Sequence, residues 1–371
     1  MSGGRTTAVR PLGRRGPAIA IALLAAVALI PAPPGRAQAP AGPYIDGISD
    51  QGLTAWDGSF PASYFASLFR WAWIDARPRP IRLARYVVQW NALDGGYPRY
   101  SLELGEWLGD VRSLGLVPVL SATSFDGTMP ASAAEYGAQL GRLLRRADAS
   151  YPVPYVEPWN EPNDQGGYRR VREAAIPAAY ANAAARLCAR AQPRCAIVAG
   201  DLQDSPTAAA YLDEYRRHLD FRPRFWGVHP YYSLGERSEA PLRALESGLP
   251  PGAEVWFTEI AARRCTAFGG RVRDVGEAGQ TALASWLVED LIPHRRPAHV
   301  FYYDFLMRER RAPACAQQHE DPFLYVPAAS PAGPDVPRAA AAPIYWGGPA
   351  PAGGAGAVGA GGLLAGPSPA S

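Results

Sequence analysis

Apolar and β-branched residues gather in short runs along this chain, and most of the runs end on a polar or acidic residue. They fall at Tyr44–Ile48, Leu83–Gln89, Val117–Ser121, Val153–Glu157, Ala196–Ala199, Phe225–His229, Glu254–Glu259 and Val300–Asp304. Runs this short and this apolar, bounded by Gly, Pro and polar residues, read as buried strands. They recur every 30 to 45 residues or so, about the length of a strand, a loop, a helix and a second loop. The intervening segments change period. In Leu102–Leu114, Leu104, Trp107, Leu108 and Val111 fall at i, i+3, i+4 and i+7, one core face of a helix. Ala178–Arg190 repeats the pattern with Tyr180, Ala184 and Leu187, and Gly279–Leu291 with Leu283, Trp286, Leu287 and Leu291. Eight alternations of strand and helix predict an α/β chain, a single-domain (β/α)8 TIM barrel over residues 40–346. The count leaves an open sheet as the alternative.

The ends depart from this pattern. Arg5 to Arg15 form a basic stretch, Pro17 to Ile30 an apolar one, and Ala37-Gln38-Ala39 a small-residue cleavage point, the order of a secretory signal over residues 1–39. An uncleaved anchor is the rival reading, but the apolar run is short for a span and Pro31, Pro33 and Pro34 follow it. Residues 312–343 are rich in Ala and Pro, Ile344-Tyr345-Trp346 is a last apolar cluster, and 347–371 is a Gly/Ala/Pro tail with no core-forming pattern, expected to be disordered.

Charge narrows the partners. All 37 basic residues are arginine, and five of them precede position 40, where no acid occurs. The remaining 32 face 34 acids, a balance that gives no electrostatic case for nucleic acid or an anionic membrane. Export would also suit the four cysteines, for which the expected pairs are Cys188–Cys195 and Cys265–Cys315. Zinc is the rival, without a CxxC pair or a nearby histidine to support it.

The candidate chemistry lies in two glutamates, Glu161 in Trp159-Asn160-Glu161-Pro162 and Glu259 in Trp256-Phe257-Thr258-Glu259. A carboxylate ending a buried strand is costly without a partner or a role. A pair of them, one to protonate a leaving oxygen and one to attack or stabilise a sugar cation, is what glycoside hydrolysis needs. Pro162 disfavours the α conformation at Glu161, which is therefore expected to be extended at a strand end. Strict alternation would then turn Asn160 and Glu161 to opposite faces, so a bulge is expected if both serve one site. It would also turn Glu157 and Trp159 inward, with Glu157 a buried structural acid beside an arginine or hydroxyl.

Trp159-Asn160-Glu161-Pro162 resembles the fourth-strand motif of the clan A glycoside hydrolases, retaining enzymes on a (β/α)8 barrel, and Phe257-Thr258-Glu259-Ile260 resembles their seventh-strand nucleophile segment. Trp226-Gly227-Val228-His229-Pro230-Tyr231 is similar to their sixth strand, whose histidine and tyrosine surround the nucleophile. Arg85 in Ala84-Arg85-Tyr86-Val87-Val88 is similar to the second-strand arginine that keeps the nucleophile ionised. The resemblance implies Glu161 as acid/base, Glu259 as nucleophile, and Asn160 on the sugar 2-hydroxyl, with no metal or cofactor and a glycoside or oligo- or polysaccharide as substrate. Arg85 has a second reading as the partner of Glu157.

The eighth strand departs from the family. Where a tryptophan usually floors the sugar site, this chain has Val300-Phe301-Tyr302-Tyr303-Asp304, so Tyr302 or Tyr303 is expected in its place. Trp56, Trp90 and Tyr232 are sugar-stacking or core aromatics. Asp46, Asp50, Asp126 and Asp201 read as hydroxyl binders or helix caps. A barrel that binds carbohydrate without cleaving it, and a transglycosylase using the same glutamates, are the competing functions.

Overall fold

The computed structural model describes residues 44–49, 80–94, 98–163, 171–191, 195–268 and 271–303, with the backbone alone at 98–100, 265–268, 271–273, 325–326 and 336–337. The expected leader and tail, Asp50, Trp56, Asp304 and Cys315 lie outside these residues, and with Cys315 the Cys265–Cys315 pairing.

Eight parallel strands close into a barrel: β1 (Gly47–Ser49), β2 (Leu83–Gln89), β3 (Val117–Thr123), β4 (Tyr155–Glu157), β5 (Ala196–Gln203), β6 (Phe225–His229), β7 (Glu254–Ile260) and β10 (His299–Tyr302). Each pairs with its sequence neighbours, and β10 closes the ring on β1 through Gly47 opposite Phe301. The chain is a (β/α)8 barrel, not an open sheet. Strands buried on both faces need apolar residues pointing both ways, which is why β2 reads as a nearly unbroken apolar run. Gly47 is required at the closure, because a Cβ there would lie 2.5 Å from the Phe301 ring.

The helices lie outside the ring: α1 (Pro98–Ser113), α2 (Ala133–Asp148), α3 (Ala175–Arg190), α4 (Ala208–Arg217), α5 (Tyr231–Glu236), α6 (Ala240–Ser247), α7 (Gly276–Trp286) and α8 (Ile292–Arg295), with a π turn, Leu287–Leu291, joining the last two. Leu104, Trp107, Leu108 and Val111 are buried as their spacing requires, and Gly105 and Gly109 sit where an added Cβ would meet nothing within 4 Å. Ser132 caps α2 by accepting from the Glu135 amide at 3.1 Å. Cys188, in α3, is bonded to Cys195, just before β5, with Cα atoms 4.7 Å apart. An antiparallel hairpin, β8 (Cys265–Phe268) and β9 (Arg271–Asp274), follows β7, and the apolar pattern had not marked it. A second antiparallel pair joins β11 (Tyr325–Val326) to β12 (Val336–Pro337). Among the described residues no helix is long and apolar enough to cross a membrane.

The barrel interior has two layers. Leu83, Val119, Val198, Trp256 and Phe301, with Tyr155 and Phe225, form an apolar layer toward the N-terminal ends of the strands. Two residues further along β2 and β4, the inward positions become Arg85 and Glu157, both fully buried. That change from oil to charge is what the C-terminal half of the barrel is built around.

Candidate active site

Two one-residue insertions aim the acids. Between β5 and β6 the register shifts from Gly200 opposite Gly227 to Leu202 opposite Val228, so Asp201 is an extra residue on β5. Between β7 and β10 it shifts from Phe257 opposite Val300 to Ile260 opposite Tyr302, an extra residue on β7 that lets Thr258 and Glu259 both reach the interior. Bulges of this kind re-aim side chains. At β4 the device differs from the one expected. The ladder stops at Glu157, residues 158–160 bend, and Glu161 is not extended but has φ 48°. The left-handed residue turns Asn160 and Glu161 to the same side in spite of Pro162, and it is held there by the Glu161 amide donating to the Asp201 carbonyl at 3.0 Å. The bend also sends Trp159 outward, against expectation, onto Tyr136 and Tyr180. The Tyr136 hydroxyl donates to the Pro158 carbonyl and anchors the turn.

Arg85 is the hub. Its five N–H groups meet five acceptors: Nε to Glu157 Oε2 at 2.6 Å, Nη1 to Ser49 Oγ at 3.0 Å and Glu259 Oε2 at 2.9 Å, and Nη2 to Asn160 Oδ1 at 2.5 Å and Asp201 Oδ2 at 2.8 Å. Both contacts expected of Arg85 are therefore present, since it binds Glu157 and Glu259 together. By fixing Asn160 Oδ1 it also orients the amide, whose Nδ2 is buried with no partner among the described residues. Tyr231 donates to the second oxygen of Glu259 at 2.9 Å, and the Arg263 guanidinium lies 3.5 Å over the Tyr231 ring.

His229 bridges two other acids, and its hydrogen bonds differ from those the resemblance implies. Its Nδ1 meets Glu161 Oε1 at 2.8 Å and its Nε2 meets Asp201 Oδ1 at 2.8 Å, while Glu259 acts on it only through charge. Burial disfavours a charged ring, but Asp201 and Glu259 outweigh it and push His229 up to about 10, so both nitrogens carry protons and donate. Gln203 Nε2 donates to the same Glu161 oxygen at 2.9 Å. Burial pushes Glu157 up to about 8 despite Arg85. Burial works against Asp201 as well, yet Arg85 and His229 hold it well below the usual carboxylate range. Two cations thus face four carboxyl groups, and with Asp201 charged and Glu157 favouring its proton, the cluster is neutral when one of the two glutamates at the mouth also keeps a proton.

Oxygens of Glu161 and Glu259 and a nitrogen of His229 all lie within 4.8 Å of one another. The three could be read as metal ligands. Both nitrogens of His229 already meet carboxylates, and Arg85 on Glu259 opposes a second cation, so the donor set does not suit a metal.

Solved structures share this architecture. A GH39 β-xylosidase from Caulobacter crescentus superposes with a TM-score of 0.51 at 14% identity, over 72% of this chain and 64% of that one. A GH5_18 protein from Streptomyces cattleya, solved with Manβ1-4GlcNAc, gives 0.53 at 14% identity over 77% and 76%, and one from Bifidobacterium longum gives 0.52 at 9% over 76% and 74%. The chain shares their fold. It spans less than two thirds of the xylosidase's length. No family model matches the sequence, and no curated protein does.

Of the expected site residues, Arg85, Asn160, Glu161, His229, Tyr231 and Glu259 converge in one hydrogen-bonded cluster. Tyr303 follows β10 and is partly exposed, whereas Tyr302 is fully buried in the helix-side core and accepts from the Ala262 amide at 3.3 Å. Trp90 is buried, with its indole N–H on the Thr128 carbonyl at 3.1 Å. Asp46 pairs with Arg82 and His299, and Asp126 holds its own loop through Thr128. Asp201 caps no helix; it accepts a hydroxyl, that of Thr258, and is fully buried on a bulge that the alternation does not announce. The signal that could have found it is Gly200 before it, a residue suited to a bulge.

Proposed function

We propose that this chain is an exported retaining glycoside hydrolase that cleaves O-glycosidic bonds by double displacement. The observation that carries this reading is the facing pair of glutamates, oxygens within 4.8 Å, each with its own donors. Retaining enzymes hold their carboxyl groups about 5 to 5.5 Å apart, whereas inverting ones leave about 6.5 to 9.5 Å for a water. Glu259, held by Arg85 and Tyr231, attacks the anomeric carbon. Glu161 gives its proton to the departing oxygen as that bond breaks. Gln203 Nε2 and His229 Nδ1 both meet Oε1 of Glu161 and fix the direction in which the carboxyl presents its proton. The sugar is then an ester of Glu259, whose charge has gone. Glu161 takes a proton from water, the hydroxide adds to the anomeric carbon, and Glu259 leaves. The two glutamates and water balance every step. Asn160 Nδ2 supplies a donor for the 2-hydroxyl, and Tyr303 the ring beneath the sugar. A β-linked or α-L-arabino glycoside fits a nucleophile and acid placed on these strands, and the xylosidase and the Manβ1-4GlcNAc complex among the structural neighbours support that class. The Cys188–Cys195 bond supports export to an oxidising compartment.

A panel of chromogenic glycosides, with the anomeric form of the first product followed by NMR, tests the reading. Turnover with retention is expected. Inversion would overturn the double displacement. A protein that binds oligosaccharide but hydrolyses none of the panel would instead be a carbohydrate-binding barrel.

A further inference from the structure

Asp201 is left unused by the double displacement, although both of its carboxyl oxygens and its carbonyl are held within the site. It is fully buried and sits on a bulge with φ 52°, next to Gly200 at φ 86°. A non-glycine residue in the left-handed region marks a conformation that the surroundings impose. Its Oδ1 accepts from His229 Nε2 at 2.8 Å and from Thr258 Oγ at 2.6 Å, and its Oδ2 from Arg85 Nη2 at 2.8 Å. The β6 strand makes room for it, since a Cβ on Gly227 would lie 3.0 Å from Asp201 Oδ1 and 2.9 Å from Thr258 Oγ. Its carbonyl accepts the Glu161 amide. One residue therefore holds Glu161 twice, through the main chain and through the imidazole.

Resting on the glycosidase reading, we propose that Asp201 is a positioning residue that acts through His229 to fix the geometry and protonation of Glu161. An uncompensated imidazolium against Glu161 would strip the acid of its proton, and a neutral imidazole would leave the position of its hydrogen undetermined. Asp201 on the far nitrogen does two things at once. It keeps the ring charged, so that Nδ1–H always points at Glu161 Oε1, and it takes up most of that charge, so that Glu161 can still hold a proton. The charged groups around the ring are Asp201 on β5, Glu161 beyond β4, Glu259 on β7, and, through Asp201, Arg85 on β2 and Glu157 on β4, with Tyr231 edge-on at 6.2 Å. Asparagine at 201 is nearly isosteric but presents an N–H₂ to at least one of its donors, which His229 relieves by losing its Nε2 proton.

The test is Asp201→Asn in the full chain, read with aryl glycosides of graded leaving-group ability and with ¹⁵N NMR of the histidine rings. General acid catalysis is worth roughly 10²- to 10⁴-fold, so kcat/KM for poor leaving groups should fall by at least about 10²-fold, while dinitrophenyl glycosides, which need no proton, change by less than about tenfold. His229 should remain doubly protonated through neutral pH in the wild type and titrate below it in the variant. On a His229→Asn background, Asp201→Asn should add little further leaving-group dependence, because the two residues act as one unit. An active wild type together with a variant that loses all substrates equally, or none, overturns this inference and leaves the glycosidase reading standing. A wild type that turns over no glycoside overturns both. Should Asp201→Asn fail to fold, the wild-type NMR still decides, since a neutral His229 at pH 7 would refute the proposal.

Discussion

At the scale of single residues, the site gives two chemically identical groups different partners. Glu259 is tied to Arg85 and Tyr231, whereas Glu161 shares an imidazolium with a second acid. Glu259→Ala should reduce turnover by about 10³-fold or more while sugar binding survives, because a nucleophile contributes mainly to the transition state. Azide should restore product of inverted configuration, seen by NMR of the glycosyl azide, and a variant with no rescue would count against Glu259 as nucleophile. Folding stability should carry the same imprint. His229 is raised from 6.5 to about 10, so its contribution is whole below pH 6.5 and is lost as pH rises through 10. Glu157, raised from 4.5 to about 8 by burial, loses its contribution in the same direction across that lower window. Asp201 is lowered, so its contribution is present above its ordinary value of 3.8 and lost in stronger acid. Urea midpoints measured from pH 5 to 10 should therefore fall with rising pH, and His229→Asn should flatten the decline above pH 6.5.

At the scale of elements, what the sequence made legible follows from period. β2 and β6 have the bounds that their apolar runs predict, and the buried face of α1 is the one its spacing names. Misreadings gather where period breaks. A bulge adds one residue without changing composition, so neither Asp201 nor the extra position on β7 announces itself in the alternation. At Glu161 the rule that proline favours an extended predecessor yielded to the bend closed by Tyr136 and the Asp201 carbonyl. Trp159 then fell on the other face from the one alternation assigns. Glycines test the distinction between element and site. Gly105→Ala, on the outer side of α1, should raise stability by about 0.5–1 kcal/mol with activity unchanged. Gly227→Ala presses on Asp201 and Thr258, and overpacking should cost about 1–3 kcal/mol with a disproportionate loss of kcat. Thermal melts and assays on the two variants separate the cases.

At the scale of the whole molecule, the eight strands form a shaft that is apolar at one end and charged at the other. The layer of Leu83, Val119, Val198, Trp256 and Phe301 closes the shaft from below, so water should reach Arg85 and its acids from the mouth. On the glycosidase reading proposed above, a sugar seated there would be a stopper as well as a substrate. In deuterium oxide, the Arg85 guanidinium protons and the buried hydroxyls of Ser121 and Thr123 should exchange by one route alone. An inhibitor that fills the mouth should slow that exchange, while leaving the exposed guanidinium of Arg82, beneath the seal, to exchange at its usual rate. Equal slowing at both arginines, or at neither, would mean that the barrel breathes through its base.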